Sequence, residues 1–266
     1  MVYALTWLPK VLRDAGLRVA EVPGWRERGL GDVGDTFGVL CHHTGCAAVG
    51  NMPSLHVLIQ GRPGLRGPLS QLGLGRDGTY YMIAAGKAHH AGAGIWHGIS
   101  DGNTHLIGIE AENAGDASDP WPEAQLLAYQ HGVAAILEHL NLDAERCAGH
   151  KEYAPRRKVD PTFDMSSFRS AVRAILDGAG QPLTRIPAAE PDGQARETLR
   201  RGAHGAWVTT LQRRLGLQES GLFDSQTEAR VRAFQRANGL VPDGIVGPKS
   251  WAALDANVTA RSAAGR

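Results

Sequence analysis

The pattern of apolar and polar positions along the chain predicts both strands and helices. Short runs rich in β-branched and aromatic residues predict strands, and apolar residues that recur every three or four positions predict helices. Strands enclosed by helices indicate an α/β fold with a mixed central sheet flanked by helices. The predicted strands are Val39–His43, Leu55–Gln60, Thr79–Ala84 and Leu106–Ala111, and the predicted helices are residues 5–12, Glu123–Leu140 and a segment between Asp164 and Gly178.

The last 70 or so residues have a different pattern, with an internal echo. The stretch GLFDSQT, residues 221–227, matches GIVGPKS, residues 244–250, as a glycine turn, two apolar residues and a helix start. Helices are predicted at Val208–Leu215, Gln226–Asn238 and Lys249–Leu254. This part of the chain is therefore predicted to be a small C-terminal three-helix domain.

A segment without apolar periodicity separates the two parts. Residues 178–195 are rich in Gly, Pro and Ala, which is typical of a linker. We therefore predict one domain at residues 1–177, a linker at 178–195, a second domain at 196–257 and an irregular tail at 258–266.

Charge and composition exclude several classes of partner. The 266 residues carry a formal net charge of +1, so bulk charge gives no argument for nucleic acid. No apolar segment approaches the roughly 20 residues that cross a bilayer, and the N-terminal residues lack the basic region of a signal peptide. We expect no membrane insertion and location in the cytoplasm at synthesis.

The three cysteines do not form a recognisable framework. An odd number without CxxC spacing argues against a set of structural disulfides. Small buried thiols are the first interpretation. A bridge from Cys46 to either Cys41 or Cys147 is the alternative.

Two stretches carry candidate chemistry. FGVLCHHTGC, residues 37–46, ends a predicted strand in two histidines, and neighbouring side chains on a strand point to opposite faces. Only one of His42 and His43 can therefore face a common site. A polar loop, residues 149–161, is bracketed by His150 and Asp160, and a loop of this kind can fold back so that both reach one ion.

Four motifs in this order resemble the type 2 N-acetylmuramoyl-L-alanine amidases, a zinc family that shares its fold with the peptidoglycan-recognition proteins. They are HHT after a strand, IGIEAEN on a later strand, GH before the polar loop and KVDP at its end, and the resemblance covers about residues 33–168. It implies that Zn²⁺ is the cofactor and that His42, His150 and Asp160 hold it.

The same resemblance implies a catalytic glutamate at Glu110, a catalytic lysine at Lys158, and a substrate groove lined by His90 with Trp96 nearby. The residues themselves leave alternatives. A shift of the strand by one residue replaces His42 by His43, and Glu112 is the other carboxylate of the Glu110 strand. Asp160 could instead be a turn residue before proline, and Lys158 could be an ordinary surface charge. His90 could simply support its glycine-rich loop.

The C-terminal part, about residues 199–254, resembles the three-helix peptidoglycan-binding modules. The residues that carry this resemblance are LRRGAHGAWVTTLQRRL, GLFDSQTEARVRAFQ and GLVPDGIVGPKSWAAL, with Asp224 where the family usually has Gly. Asp243, Trp251 and Gln235 are candidates for contact with sugar or peptide.

Together the resemblances imply an endolysin-like enzyme. Its expected reaction is hydrolysis of the amide between the lactyl group of N-acetylmuramic acid and L-alanine in bacterial cell-wall peptidoglycan. We expect a monomer that acts on the wall after a holin-type, membrane-disrupting partner releases it. The alternatives are a non-catalytic peptidoglycan-recognition protein and a bacterial autolysin or muropeptide-recycling amidase.

Overall fold

A computed structural model describes residues 3–183 and 196–264 of the chain. The chain forms two compact units, residues 1–186 and residues 187–266. Each unit contains its own cluster of buried apolar side chains. Within the described residues, no helix combines the length and the apolar character needed to cross a membrane.

The first unit combines short strands with helices of very different length. Its helices are α1 (Leu8–Asp14), α2 (Leu55–Gln60), α3 (Gly102–His105), α4 (Glu123–His139), α5 (His150–Tyr153) and α6 (Met165–Leu176). Its strands are β1 (Val19–Glu21), β2 (Val39–His43), β3 (Gly61–Arg62), β4 (Leu65–Arg66), β5 (Leu72–Leu74), β6 (Tyr80–Met82), β7 (Ile107–Ala111) and β8 (Cys147–Gly149).

Six of these strands form a mixed sheet in the order β1-β6-β5-β7-β2-β8, and β3 pairs with β4 separately. Strands β5, β7, β2 and β8 run parallel, β6 is antiparallel to β5, and β1 is parallel to β6. The register places His42 on β2 beside Glu110 on β7, and Glu110 beside Gly73 on β5. Side chains at paired positions share a face of the sheet, so His42 and Glu110 lie on one side.

The two faces of this sheet differ in chemistry. One face packs on a hydrophobic core to which α1, α4 and α6 contribute side chains. Its central residues are Val39, Cys41, Ile107, Ile109 and Ala111. The opposite face carries the alternate residues, which are Leu40, His42, Gly108 and Glu110. The predicted mixed sheet flanked by helices is therefore confirmed, and its polar positions collect on one face.

The segment Leu55–Gln60 is a helix, so the strand predicted there is wrong. Leu55 and Leu58 are buried whereas Val57 is 42% exposed, which is the burial pattern of a helix rather than of a strand. A six-residue apolar run does not distinguish the two by periodicity. The backbone N–H of Ser54 donates to Glu112 Oε2 at 2.9 Å, so a contact distant in sequence holds the start of this helix.

The other predicted elements are present, with small changes of boundary, except that the helix predicted at residues 5–12 is divided into a 3₁₀ helix, Ala4–Trp7, and α1. Strands β2, β6 and β7 lie within or at the predicted segments, and α4 and α6 match two predicted helices. Arg76-Asp77-Gly78 forms the turn between the antiparallel strands β5 and β6. Strands β1, β3, β4, β5 and β8 were not predicted, because two or three residues are too few to establish a period of two, whereas β6 lies within the longer run Thr79–Ala84.

The first residues of the predicted linker belong to the packed structure of the first unit. The Nε2 of His131 lies 2.8 Å from the carbonyl oxygen of Gln181, and Leu183 packs against the core. The rest of the predicted linker, residues 184–195, lies outside the described residues.

The second unit contains α7 (Ala206–Arg214), α8 (Ser225–Ala237) and α9 (Pro248–Ala264). Its core is formed by ten buried apolar side chains, which are Leu199, Trp207, Val208, Leu211, Leu215, Phe223, Val231, Val246, Trp251 and Leu254. Helix α9 continues beyond its predicted end at Leu254. It therefore extends as far as Ala264, into the segment predicted to be a tail from residue 258.

A buried glutamine organises the first glycine turn of this unit. The side-chain amide of Gln212 donates to the carbonyl of Leu222 and to Thr227 Oγ1, at 2.9 and 3.0 Å. Its Oε1 accepts the N–H of Gly221 at 2.8 Å. The Gln212 side chain thus holds both the glycine turn and the first helical turn of α8.

Gln235 repeats this arrangement at the second turn. Its amide donates to the carbonyl of Ile245 at 2.9 Å and to Ser250 Oγ at 3.3 Å, and its Oε1 accepts the N–H of Gly244 at 2.9 Å. The internal echo of the sequence is therefore a repeated hydrogen-bond motif. Gln235 and Trp251 are only 1% and 2% exposed, so the contacts with sugar or peptide suggested for them give way to roles in the core.

Replacing Gln235 by Leu should destabilise the second unit. The variant leaves the Gly244 N–H and the Ile245 carbonyl without their buried partner. This should lower the free energy of unfolding of the second unit by roughly 1–3 kcal/mol. Hydrogen exchange followed by mass spectrometry over residues 205–254 measures this loss. Gln226→Leu, at an exposed position of the same helix, is the matched control, and equal exchange in the two variants would contradict the prediction.

Candidate metal centre

Three buried side chains from separate elements converge at one edge of the sheet. His42 lies near the carboxyl end of β2, His150 directly follows β8, and Asp160 lies in the loop after α5. The Nδ1 atoms of His42 and His150 are 2.9 Å apart, and Asp160 Oδ2 is 3.1 Å from each. Because β2 and β8 are parallel neighbours, their carboxyl ends bring the two histidines together.

The atoms that meet here form a set of ligands suited to a metal ion. The Nε2 of His150 lies 2.8 Å from the carbonyl oxygen of Ala91, so it carries a ring proton, and in the neutral form of the ring Nδ1 presents a lone pair. Burial lowers the pKa of His42 to about 4, so the ring of His42 is neutral. Two imidazole nitrogens and a carboxylate oxygen are the three protein ligands of one type of catalytic zinc site. The cluster therefore fits a divalent metal ion.

Asp160 is ionised in this cluster. Burial by itself acts to raise the pKa of its carboxyl group, but the contacts with the rings of His150 and His42 outweigh burial. The pKa is held well below its usual range, and the carboxylate supplies negative charge to the cluster. Its alternative role as a simple turn residue does not account for these contacts.

His43 lies outside the cluster. Its ring centroid is 6.3 Å from that of Trp121, and its buried Nδ1 has no hydrogen-bond partner among the described residues. Cys41 shares this face of β2, with its Sγ 3.5 Å from the Sγ of Cys147. Both are free thiols, as is Cys46, so neither bridge to Cys46 is present.

Glu110 faces the same space as the cluster. Its Oε1 lies 3.9 Å from His42 Nδ1, and its side chain is 16% exposed. Burial, and then the charge of Asp160, raise the pKa of Glu110 to about 8, whereas the charge of Lys158 lowers it. A carboxyl group whose pKa lies near neutrality is suited to accept and release a proton. Lys158 is half-buried and its charge acts on both Glu110 and His42.

Glu112, the alternative to Glu110, has a structural role. It lies one residue beyond the end of β7, and its carboxylate accepts hydrogen bonds from Thr44 Oγ1 at 2.8 Å and from Ser54 Oγ at 2.9 Å. These contacts connect β7 with the loop before α2. Its oxygens are therefore used inside the protein.

His90 and Trp96, predicted to contact substrate, occupy different surroundings. His90 is buried, its Nδ1 lies 3.2 Å from His42 Nε2, and its Nε2 lies 3.1 Å from the carbonyl oxygen of Leu106. Burial lowers the pKa of His90 well below its ordinary value, so the ring is neutral. Trp96 is half-buried and packs against a small cluster of buried apolar residues that includes Tyr153. Their contacts with substrate stay predictions.

Two residues that hold the site carry no signal in the sequence. The hydroxyl of Tyr129 on α4 accepts the N–H of His42 at 2.9 Å and lies 2.9 Å from the carbonyl of Ile109, which connects β2 with β7. Asn103 Oδ1 accepts two consecutive N–H groups, those of His90 and Ala91. Their roles depend on contacts that only the folded chain creates.

The two units also match known families. Residues 34–163 match the model of the family described as N-acetylmuramoyl-L-alanine amidase, and residues 205–254 match that of a peptidoglycan binding domain. The chain therefore joins a domain of the amidase family to a domain of the peptidoglycan-binding family.

Among curated proteins, the chain is similar to amidases of two bacteria. It is 32% identical over 98 residues to 1,6-anhydro-N-acetylmuramyl-L-alanine amidase AmpD of Haemophilus influenzae. The aligned segment covers 36% of this chain and 52% of that protein. It is 26% identical over 136 residues to N-acetylmuramoyl-L-alanine amidase CwlL of Bacillus licheniformis. That aligned segment covers 47% of this chain and 38% of that protein. The chain thus spans about half the length of these relatives or less.

Solved structures that match part of this chain include an AmpD derivative and an endolysin. The AmpD structure has a TM-score of 0.47 and 23% identity, with 64% of this chain and 98% of that chain covered. The endolysin N-acetylmuramoyl-L-alanine amidase LysCS from Clostridium intestinale has a TM-score of 0.45 and 18% identity, with 57% and 93% covered.

Removal of one ligand should abolish tight metal binding. For His42→Ala, His150→Ala and Asp160→Asn, we expect affinity for a divalent metal to fall by more than the ~10–100-fold that loss of an outer partner costs. His43→Ala is the control, because its ring lies outside the cluster, and it should bind one equivalent as the unmodified protein does. Metal content after dialysis, with competition against a chelator, measures both. Retention by His42→Ala together with loss by His43→Ala would reverse the assignment.

Proposed function

We propose that the first unit is a zinc-dependent amidase of peptidoglycan. The bond cleaved would be the amide between the lactyl group of N-acetylmuramic acid and L-alanine. The observation that carries this proposal is the triangle of His42, His150 and Asp160 with Glu110 beside it, within the segment that matches the amidase family. In a non-catalytic recognition protein, this set of ligands and proton acceptor would have no chemical use.

The charges around the triangle indicate the role of each residue. Zinc in a site of this type supplies a Lewis acid and a water molecule whose pKa is about 7. Glu110 would take the proton of that water and transfer it to the departing amine, which its position beside His42 and its pKa near neutrality support. Lys158 would stabilise the negative charge that develops on the carbonyl oxygen of the substrate.

The second unit would keep the enzyme on its polymer. In this proposal the catalytic domain occupies residues 1–177 and the wall-binding domain residues 196–257, joined by the linker. Tethering raises the effective concentration of cleavable bonds around the catalytic unit without any new contact. Such a layout supports an endolysin made in the cytoplasm as a monomer, which reaches the wall after a holin-type partner opens the membrane.

A second candidate function has its own support. The relative named 1,6-anhydro-N-acetylmuramyl-L-alanine amidase favours a soluble anhydro-muropeptide as substrate. A wall-binding unit would have no role on a soluble fragment. The match to a peptidoglycan-binding domain therefore favours polymeric peptidoglycan as the substrate.

Mass spectrometry of the products tests the bond, the metal and the substrate together. On purified sacculi we expect free stem peptides that begin with L-alanine, and we expect their release to stop with a chelator and resume with added Zn²⁺. Faster cleavage of soluble anhydro-muropeptides than of sacculi would favour the second function. Release of sugar fragments alone, or cleavage that a chelator leaves unchanged, would contradict the proposal.

Loss of the proton acceptor should remove activity while the metal stays bound. Glu110→Gln keeps the shape of the side chain but cannot take a proton, so kcat should fall about 10²–10⁴-fold. Zinc content should be unchanged, because Glu110 is not among the three ligands. Glu138→Gln, at an exposed position of α4, is the control and should retain full activity. Near-normal turnover by Glu110→Gln would exclude Glu110 as the general base.

A further inference from the structure

The outer nitrogen of His42 is bonded to another histidine. The Nε2 of His42 lies 3.2 Å from the Nδ1 of His90, and the Nε2 of His90 lies 3.1 Å from the carbonyl oxygen of Leu106. Both rings are buried, at 1% and 7% exposure, so water does not compete for these bonds. We call this chain of two hydrogen bonds the histidine relay.

The carbonyl at its end gives the relay a single direction. A carbonyl oxygen only accepts, so the Nε2 of His90 must carry the proton. A neutral imidazole has one ring proton, and the Nδ1 of His90 is therefore an acceptor. The Nε2 of His42 must then be the donor to it. This leaves the Nδ1 of His42 as a lone pair directed at His150 and Asp160.

We propose that His90 is a positioning residue that holds the ring proton of His42 on Nε2 and so keeps its Nδ1 free to bind the metal ion. This inference deepens the proposed function and rests on it only for the presence of the ion. The direction of the relay follows from the hydrogen bonds of the protein itself. It assigns to His90 a role at the metal ligand in place of contact with substrate.

Asp160 makes such a device necessary. Its Oδ2 lies 3.1 Å from His42 Nδ1 and is an acceptor for a proton on that nitrogen. Without a partner on the outer side, the proton of His42 would leave a buried Nε2 that has nothing to donate to and would move to Nδ1, next to the carboxylate. A proton on Nδ1 occupies the lone pair that the metal ion requires.

The position of His90 is itself fixed on two sides. Asn103 Oδ1 accepts the N–H of His90 at 2.9 Å and that of Ala91 at 2.8 Å. A Cβ atom on Gly108 would lie 2.6 Å from the His90 ring, so the glycine in β7 leaves the space that the ring fills. The carbonyl of Ala91 meanwhile accepts from His150 Nε2. One dipeptide thus supplies the outer partners of both histidine ligands.

The test combines tautomer measurement with zinc affinity, on the full chain. Long-range ¹H–¹⁵N spectra of metal-free, histidine-labelled protein at neutral pH report which nitrogen of His42 is protonated. We expect Nε2–H in the unmodified protein and a shift to Nδ1–H in His90→Phe, which keeps the ring shape without its nitrogens. His90→Asn places an amide oxygen near the former Nδ1 and should restore the Nε2–H form.

Zinc affinity, from competition with a chelator, should follow the tautomer. We expect a loss of ~10–100-fold in His90→Phe, the range typical of a missing outer partner, and a smaller loss in His90→Asn. His89→Phe is the matched control, because it removes a neighbouring histidine whose Nδ1 lies 3.0 Å from the carbonyl oxygen of Arg66. It should leave both the His42 tautomer and the affinity unchanged.

Several outcomes would overturn the relay. A proton found on Nδ1 of His42 in the unmodified, metal-free protein would contradict the relay. This result needs no variant, so it stands even if His90→Phe fails to fold. Unchanged affinity in His90→Phe, or an equal loss in His89→Phe, would also contradict the relay. If the unmodified protein binds no zinc while His42 is found as Nε2–H, the relay stands and the proposed function fails.

Discussion

The in-register pairing of β2 with β7 is the constraint on which the rest of the first unit depends. It places His42 beside Glu110 on one face, while the intervening residues of both strands enter the hydrophobic core on the other. The parallel neighbour β8 then brings His150 to the same edge. A shift of one residue in β2 would bury His42 among apolar side chains and turn Cys41 toward the site. Apolar packing on one face therefore determines the geometry of a polar site on the other.

Without a bound ion, bringing the side chains of this site together is unfavourable in free energy. Folding removes two imidazole nitrogens and a carboxylate oxygen from water and places them about 3 Å apart, where none donates to another without an added proton. A bound cation would offset this cost, and metal binding would then be coupled to folding of this edge of the sheet. The same burial also raises the pKa of Glu110. A cation beside Glu110 would lower that pKa, so the protonation of Glu110 would be linked to metal binding.

Sequence reasoning reached the site through strand alternation and spaced motifs. Alternation alone reduced His42 and His43 to one candidate. The resemblance indicated His42, which the structure places beside His150 and Asp160. The helix at Leu55–Gln60 was not predicted, since a contact distant in sequence, that of Ser54 with Glu112, holds its start. Strands β1, β5 and β8 were not predicted because they are too short to show a period. The supporting residues Tyr129 and Asn103 were also missed. Each acts through a single hydrogen-bonding group whose partners are distant in sequence, and no periodicity records such contacts.

For His90, the sequence and the contacts within the structure point to different roles. The sequence marked it by its neighbours and by resemblance, both of which suggested a position beside the substrate. The structure uses both of its ring nitrogens inside the protein, with His42 on one side and Leu106 on the other. A histidine with two internal partners has no nitrogen left for a ligand, since each ring nitrogen serves one bond. In our proposal the contribution of His90 therefore passes through His42. The same loop also contacts the second histidine of the cluster, because the carbonyl oxygen of the next residue, Ala91, lies 2.8 Å from the Nε2 of His150.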